Sequence, residues 1–110
     1  MLGRIYELDT VKQRLASKEA VLSDVRELNE WNEGHLEVAK LVPLSDIRYP
    51  QKRKNAMKDL SKKEMIYCHC RSGKRVLIAT HYLTEDGYDI RPLSAGYKDL
   101  LSEGFENAKQ

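Results

Sequence analysis

An α/β domain is the fold class this sequence predicts, on three observations. Short apolar runs alternate with segments whose apolar residues recur at helical spacing. The clearest run, Met65 to His69, leads through a turn into Val76 to Leu83, where the apolar spacing is helical. No linker, repeat or low-complexity tract divides the 110 residues, a length that suits a single domain over 1–110 with one core.

The elements follow in order. Ile5 and Tyr6 begin a short first strand. Asp9 or Thr10 can cap the next helix, because a side-chain oxygen there accepts from an unpaired amide of the first turn; Val11, Leu15 and Ala16 form its apolar face. Ala20 to Val25 is a second strand, and a short helix around Leu28 to Trp31 ends at Gly34. Val38 to Leu44 reads as a strand that Pro43 terminates. Beyond Ser45, Tyr49-Pro50 breaks the chain and Lys54 to Leu60 reads as a helix. Met65 to His69 is the central strand, Lys74 to Glu85 the helix after it, Ile90 to Leu93 the last strand and Tyr97 to Ser102 the last helix. In a mostly parallel sheet, ligands bind beyond the carboxyl ends of the strands, and Cys70 lies at such an end.

The run Cys70, Arg71, Ser72, Gly73, Lys74, Arg75 therefore places a thiol at a strand-to-helix turn. Amides at a helix N-terminus lack intrahelical partners, and the helix dipole adds partial positive charge there, so an anion is stabilised. Arg71, Lys74 and Arg75 strengthen that field, which favours thiolate, the nucleophilic form. Gly73 lets backbone approach the sulfur closely because it has no Cβ, and the Ser72 hydroxyl can donate a hydrogen bond. Cys68, two residues earlier on the strand, reads as a buried thiol, with a resolving role for an oxidised Cys70 as its other reading.

This loop resembles the active-site loop of the rhodanese (sulfurtransferase) family, and the resemblance spans nearly the whole chain. Asp24-Val25-Arg26 resembles the family's Asp-Val-Arg. Glu30 with Gly34-His35-Leu36 is similar to its Glu-x-x-x-Gly-His-Ile, and Val42-Pro43-Leu44 to its Ile-Pro-Leu. Tyr82-Leu83, Gly87-Tyr88 and Leu93-Ser94-Ala95-Gly96-Tyr97 follow in the family's order. Val38, Ala95 and Leu100 depart from it at positions of backbone approach and packing. The resemblance implies a five-stranded, mostly parallel sheet with helices on both faces. It also implies that Cys70 accepts sulfane sulfur as a persulfide. On a thiosulfate model, Arg71, Lys74 and Arg75 neutralise the donor's sulfonate, with Arg75 deepest in the turn. Asp24 and Arg26, at the end of a neighbouring strand, are candidates to support the loop, Asp24 by pairing with a loop arginine. Trp31 and Tyr97 read as core or rim packing.

Other chemistries fit less well. Phosphatases of the same fold need Cys-x5-Arg, but the sixth residue after Cys70 is Val76 and after Cys68 is Lys74. An arsenate reductase and a non-catalytic binding module are the remaining alternatives. Cys68, His69 and Cys70 could ligate a metal, but His35 and His81 stand alone and no second cluster completes a site, so no metal or cofactor is expected. The phosphate-loop motif is absent, since Lys74 is followed by Arg75 and Cys68 stands where its first Gly belongs. With 19 basic and 17 acidic residues the net charge is +2, too small to argue for DNA binding. No apolar stretch approaches the roughly 20 residues of a membrane span, and Met1 to Asp9 lacks a signal-peptide core, so a cytoplasmic address is expected. Lys52, Arg53, Lys54, Lys58, Lys62 and Lys63 form the one charge asymmetry, read as a solvated face or as a docking surface for an acidic protein acceptor or tRNA.

Overall fold

The computed structural model describes residues 6–109. Its elements run α1 (Leu8–Ala16), β1 (Ala20–Asp24), α2 (Leu28–Glu33), β2 (Ala39–Leu41), α3 (Leu44–Ile47), α4 (Pro50–Ala56), β3 (Met65–His69), α5 (Arg75–Glu85), β4 (Asp89–Pro92) and α6 (Tyr97–Ser102). The four described strands pair in the order β2-β1-β3-β4, all parallel. The expected first strand falls partly outside the described residues, at Ile5. Tyr6 is not in a strand and sets its ring edge-on to Tyr67, with centroids 5.7 Å apart.

Both faces of the sheet are covered, and β3 shows why. Ile66, Cys68 and Cys70 pack with Val76, Ala79 and Leu83 of α5 and with Leu44 and Ile47 of α3. Tyr67, between them in sequence, faces the other way onto Val11, Leu93 and Leu100. Fully burying a Leu, Ile or Val side chain stabilises by about 1.5–3 kcal/mol, so two such clusters fix which residues face which helix.

Of the expected boundaries that shift, three do so for a clear local reason. Helix α1 starts at Leu8 with Glu7 at its N-cap, so Asp9 lies inside the first turn, where its charge still complements the helix dipole. The strand expected over Val38–Leu44 is only Ala39–Leu41, because Pro43 serves as the N-cap of α3 instead of merely ending β2. The helix expected over Lys54–Leu60 lies earlier, over Pro50–Ala56. Pro50 sits in its first turn, where a missing N–H costs nothing and the fixed φ suits a helix.

The strand order makes the connections leave β1 and β3 in opposite directions: β1 leads through α2 to β2, and β3 leads through α5 to β4. The carboxyl ends of β1 and β3 thus flank a topological switch point, the place where parallel α/β sheets bind ligands. Asp24 and His69 are register partners at that end, and Cys70 is the next residue.

Candidate active site

Cys70 is held where β3 gives way to the loop. Its carbonyl accepts the Tyr97 amide at 2.9 Å, and the His69 carbonyl accepts the Val25 amide at 3.0 Å, so the chain on either side of the thiol is anchored to neighbouring elements. The Gly73 amide donates to Cys70 Sγ at 3.1 Å. This turn requires glycine twice over: Gly73 has φ 87°, and a Cβ there would lie 2.7 Å from the Ser94 carbonyl oxygen. Gly96 answers from the other side, since a Cβ on it would overlap the Arg71 carbonyl oxygen. The loop and the 94–96 segment are therefore in backbone contact. Sequence reasoning quoted Gly96 as part of a motif but missed its role; a glycine directly before an N-terminal helix residue was its only signal.

The six loop residues do not share one environment. Cys70 is 1% exposed, at the floor of the turn. Arg71, Ser72 and Lys74 are exposed, and neither Arg71 nor Lys74 forms an ion pair among the described residues. Arg75 is paired with Glu30. Its Nη1 and Nη2 donate to Glu30 Oε1 and Oε2 at 2.6 and 2.8 Å, and that contact holds the Glu30 carboxyl down at about 2. The Glu30 carboxylate also accepts the Glu27 amide at 3.0 Å, closing the capping box of α2. Arg75 is thus the loop cation with an ion-pair partner, and Arg71 and Lys74 have none among the described residues.

Asp24 and Arg26 make different contacts from the expected ones. Asp24 pairs with Arg26, not with a loop arginine: Arg26 Nη2 donates to Asp24 Oδ2 at 2.8 Å, and both residues are buried. Arg26 Nη2 also donates to the Gly34 carbonyl at 2.8 Å, and its guanidinium lies 4.2 Å from the Tyr97 ring centroid. Tyr97 then reaches the loop through its amide on Cys70. Beside this stack a cavity of about 320 Å³ opens between α2 and α6, bounded by Arg71, Glu33 and Lys98.

The neighbouring titratable groups are subdued. Burial pushes the Cys68 thiol up to about 12, so it is a poor nucleophile. Burial also lowers His69, whose Nε2 has no hydrogen-bond partner among the described residues and lies 3.7 Å from Asp24 Oδ2. His35 stacks on Trp31 at 3.6 Å and its Nδ1 bonds the Trp31 carbonyl, while His81 is exposed on α5.

The basic stretch lies elsewhere. Lys62 and Lys63 precede the first residue of β3, at the opposite end of the strand from Cys70, about 16 Å away at the rise of five strand residues. Arg53 is internally committed, to Asp86 at 2.6 Å and to the Ile47 carbonyl at 2.7 Å.

Known proteins share this fold. A family model for the rhodanese-like domain matches residues 7–103. The Bacillus subtilis protein named "Putative sulfur carrier protein YrkF" is 30% identical over 82 residues, 74% of this chain and 41% of that protein. The chain thus spans about two fifths of the length of that curated relative. Among solved structures, the Helicobacter pylori protein hp1203 is 30% identical with a TM-score of 0.70, covering 84% of this chain and 81% of that one. A rhodanese-like domain protein from Staphylococcus aureus is 29% identical with a TM-score of 0.72, over 93% and 94% of the two chains. The human single-domain sulfurtransferase TSTD1, 24% identical, shares the fold with a TM-score of 0.76 over 93% and 98%. Because the family match runs from the start of α1 to the end of α6 and takes in every element around Cys70, the chain belongs to the rhodanese-like domain family.

Proposed function

We propose that the protein is a sulfurtransferase that carries sulfane sulfur as a persulfide on Cys70. The observation that carries this reading is the Gly73 amide aimed at Cys70 Sγ at 3.1 Å, beneath a rim holding two unpaired cations, Arg71 and Lys74. Thiosulfate, or a protein persulfide, is the donor class that fits. The Cys70 thiolate attacks the outer sulfur of thiosulfate, a new S–S bond forms, and sulfite leaves with the electron pair of the bond that breaks. Arg71 and Lys74 offset the charge of the sulfonate, and loop amides hold the anionic persulfide. Cyanide, or a thiolate acceptor, then attacks the outer sulfur, and Cys70 departs as thiolate. Both steps move sulfur between nucleophiles and call for no cofactor.

The curated relative named as a sulfur carrier supports a protein acceptor in the cell, with a tRNA-modification route as another destination. Two free cysteines suit a reducing compartment, and we place the reaction in the cytoplasm on that ground. No described helix is long and apolar enough to cross a membrane. Incubation with thiosulfate is expected to add the mass of one sulfur atom to the protein, and cyanide to remove it as thiocyanate. A Cys70→Ser variant that still makes thiocyanate at the wild-type rate would sink the proposal.

A further inference from the structure

Helix α5 is apolar on two opposite faces. Val76, Ala79 and Leu83 are buried against the sheet. At about 100° per residue the opposite stripe reads Lys74, Leu77, Ile78 and His81. Leu77 is 59% exposed and Ile78 40% exposed. Farther along, the same stripe becomes Thr84 and Glu85. The outward face is thus apolar only in the turn that follows the Cys70 loop, and polar beyond it.

Charge borders this apolar pair on the loop side. Lys74, on that stripe, is exposed and unpaired among the described residues; Arg71, exposed and unpaired in the same loop, lies toward the cavity between α2 and α6, and the charge of Arg75 is matched by Glu30. An apolar centre edged by unmatched cations complements an acidic surface with its own apolar centre. A small anion such as thiosulfate has no use for the leucine and isoleucine. The other cationic surface, around Lys62 and Lys63, is at the far end of β3 and gives no direct approach to Cys70.

We propose that Leu77 and Ile78, with Arg71 and Lys74, form the docking face for a protein sulfur acceptor whose reactive cysteine sits in an acidic, apolar-centred surface. This inference rests on the sulfur-transfer reading and assigns its partner surface. The acceptor's thiolate attacks the outer sulfur of the Cys70 persulfide. A bond forms between those two sulfurs, the bond to Cys70 Sγ breaks, and Cys70 leaves as thiolate while the persulfide passes to the acceptor.

The test uses synthetic cysteine peptides as probes. One carries leucines beside the cysteine within a run of glutamates, a second has serine for leucine, and a third has lysine for glutamate. Sulfur uptake from persulfidated protein is measured for wild type and for the double variant Leu77→Ser/Ile78→Ser, with cyanide in parallel. Wild type is expected to favour the glutamate-leucine peptide over the serine peptide by about tenfold, equivalent to about 1.4 kcal/mol. The double variant is expected to lose that preference while cyanide turnover stays unchanged. The lysine peptide is expected to be slower at low salt and to catch up as salt rises. Transfer from the double variant to the glutamate-leucine peptide at the wild-type rate overturns the docking face. So does a change in its sedimentation behaviour, which would show a second copy of the chain on this surface. Failure of the cyanide arm in wild type, before any peptide is added, instead brings down the sulfur-transfer reading itself.

Discussion

Glu30 and Arg75 meet in a two-point ion pair, 2.6 and 2.8 Å, that ties the last loop residue to α2. The pair leaves Arg71 and Lys74 as the loop cations without an ion pair among the described residues, and it spans 45 residues of sequence. Glu30→Gln is expected to destabilise by about 1.5–3 kcal/mol, the range for hydrogen bonds to charged groups, and to lower thiosulfate turnover by loosening the loop. The pH dependence has a definite sign. The Glu30 carboxyl falls from 4.5 to about 2 on folding, so its contribution is complete above 4.5 and is lost as pH falls toward 2. Denaturant melts of wild type and Glu30→Gln should therefore differ most at neutral pH and converge through that acid window. A constant gap down to the lowest pH would mean that the pair is not the source of the difference.

Two cysteines of one strand are expected to behave oppositely. Cys70→Ser should abolish thiosulfate:cyanide transfer, and Cys68→Ser should leave most of it, because Cys68 is wholly buried with its thiol pushed up to about 12. Alkylation at pH 8 should label one thiol per native chain, at Cys70, and both after unfolding. Rapid labelling of Cys68 in the folded protein would contradict the upward push on its thiol, which keeps it protonated at pH 8.

Glycine contacts separate fold from function. Gly96→Ala forces a Cβ into the Arg71 carbonyl, where backbone, not a flexible side chain, must yield. Overpacking of this kind costs about 1–3 kcal/mol, and here it displaces the catalytic loop, so activity is expected to fall more than stability explains. Gly87→Ala is the comparison. Its φ of 98° penalises any Cβ, but the space around it holds only the Lys62 side chain, from 3.6 Å. It should lower the melting temperature and leave turnover per folded molecule intact, measured by thiocyanate production well below either transition.

These contrasts show what was legible in the sequence. The Cys70 loop was, because a thiol, a glycine and three cations between a strand-like run and a helix-like one are all local features. The partner of Arg75 was not, since nothing in residues 70–75 points to Glu30; Asp24 was the nearer guess, and Arg26 occupies it instead. Pro50 misled because proline suits a chain break and a first helical turn equally well. The buried fate of Cys68 could be read from alternation along β3, whereas the outward placement of Leu77 and Ile78 could not, as helical spacing alone does not show which stripe meets the sheet.

The basic stretch divides into one structural residue and several solvated ones. Arg53 bonds Asp86 and the Ile47 carbonyl and lies 5.4 Å from the Tyr82 ring centroid, so it fastens α4 to α3 and α5. Arg53→Gln is expected to destabilise by about 1.5–3 kcal/mol, the range for hydrogen bonds to charged groups. Lys54 and Lys58 are exposed and form no ion pair among the described residues, so replacing both with Gln should shift stability by no more than about 0.5 kcal/mol. Neither change touches the Cys70 end of the sheet, and both variants should turn over thiosulfate and cyanide as wild type does. Transfer to the glutamate-leucine peptide should also be unaffected by Lys54→Gln/Lys58→Gln at low salt. A slowing there, with cyanide turnover intact, would place the acceptor at the amino ends of the strands and not on the outward face of α5.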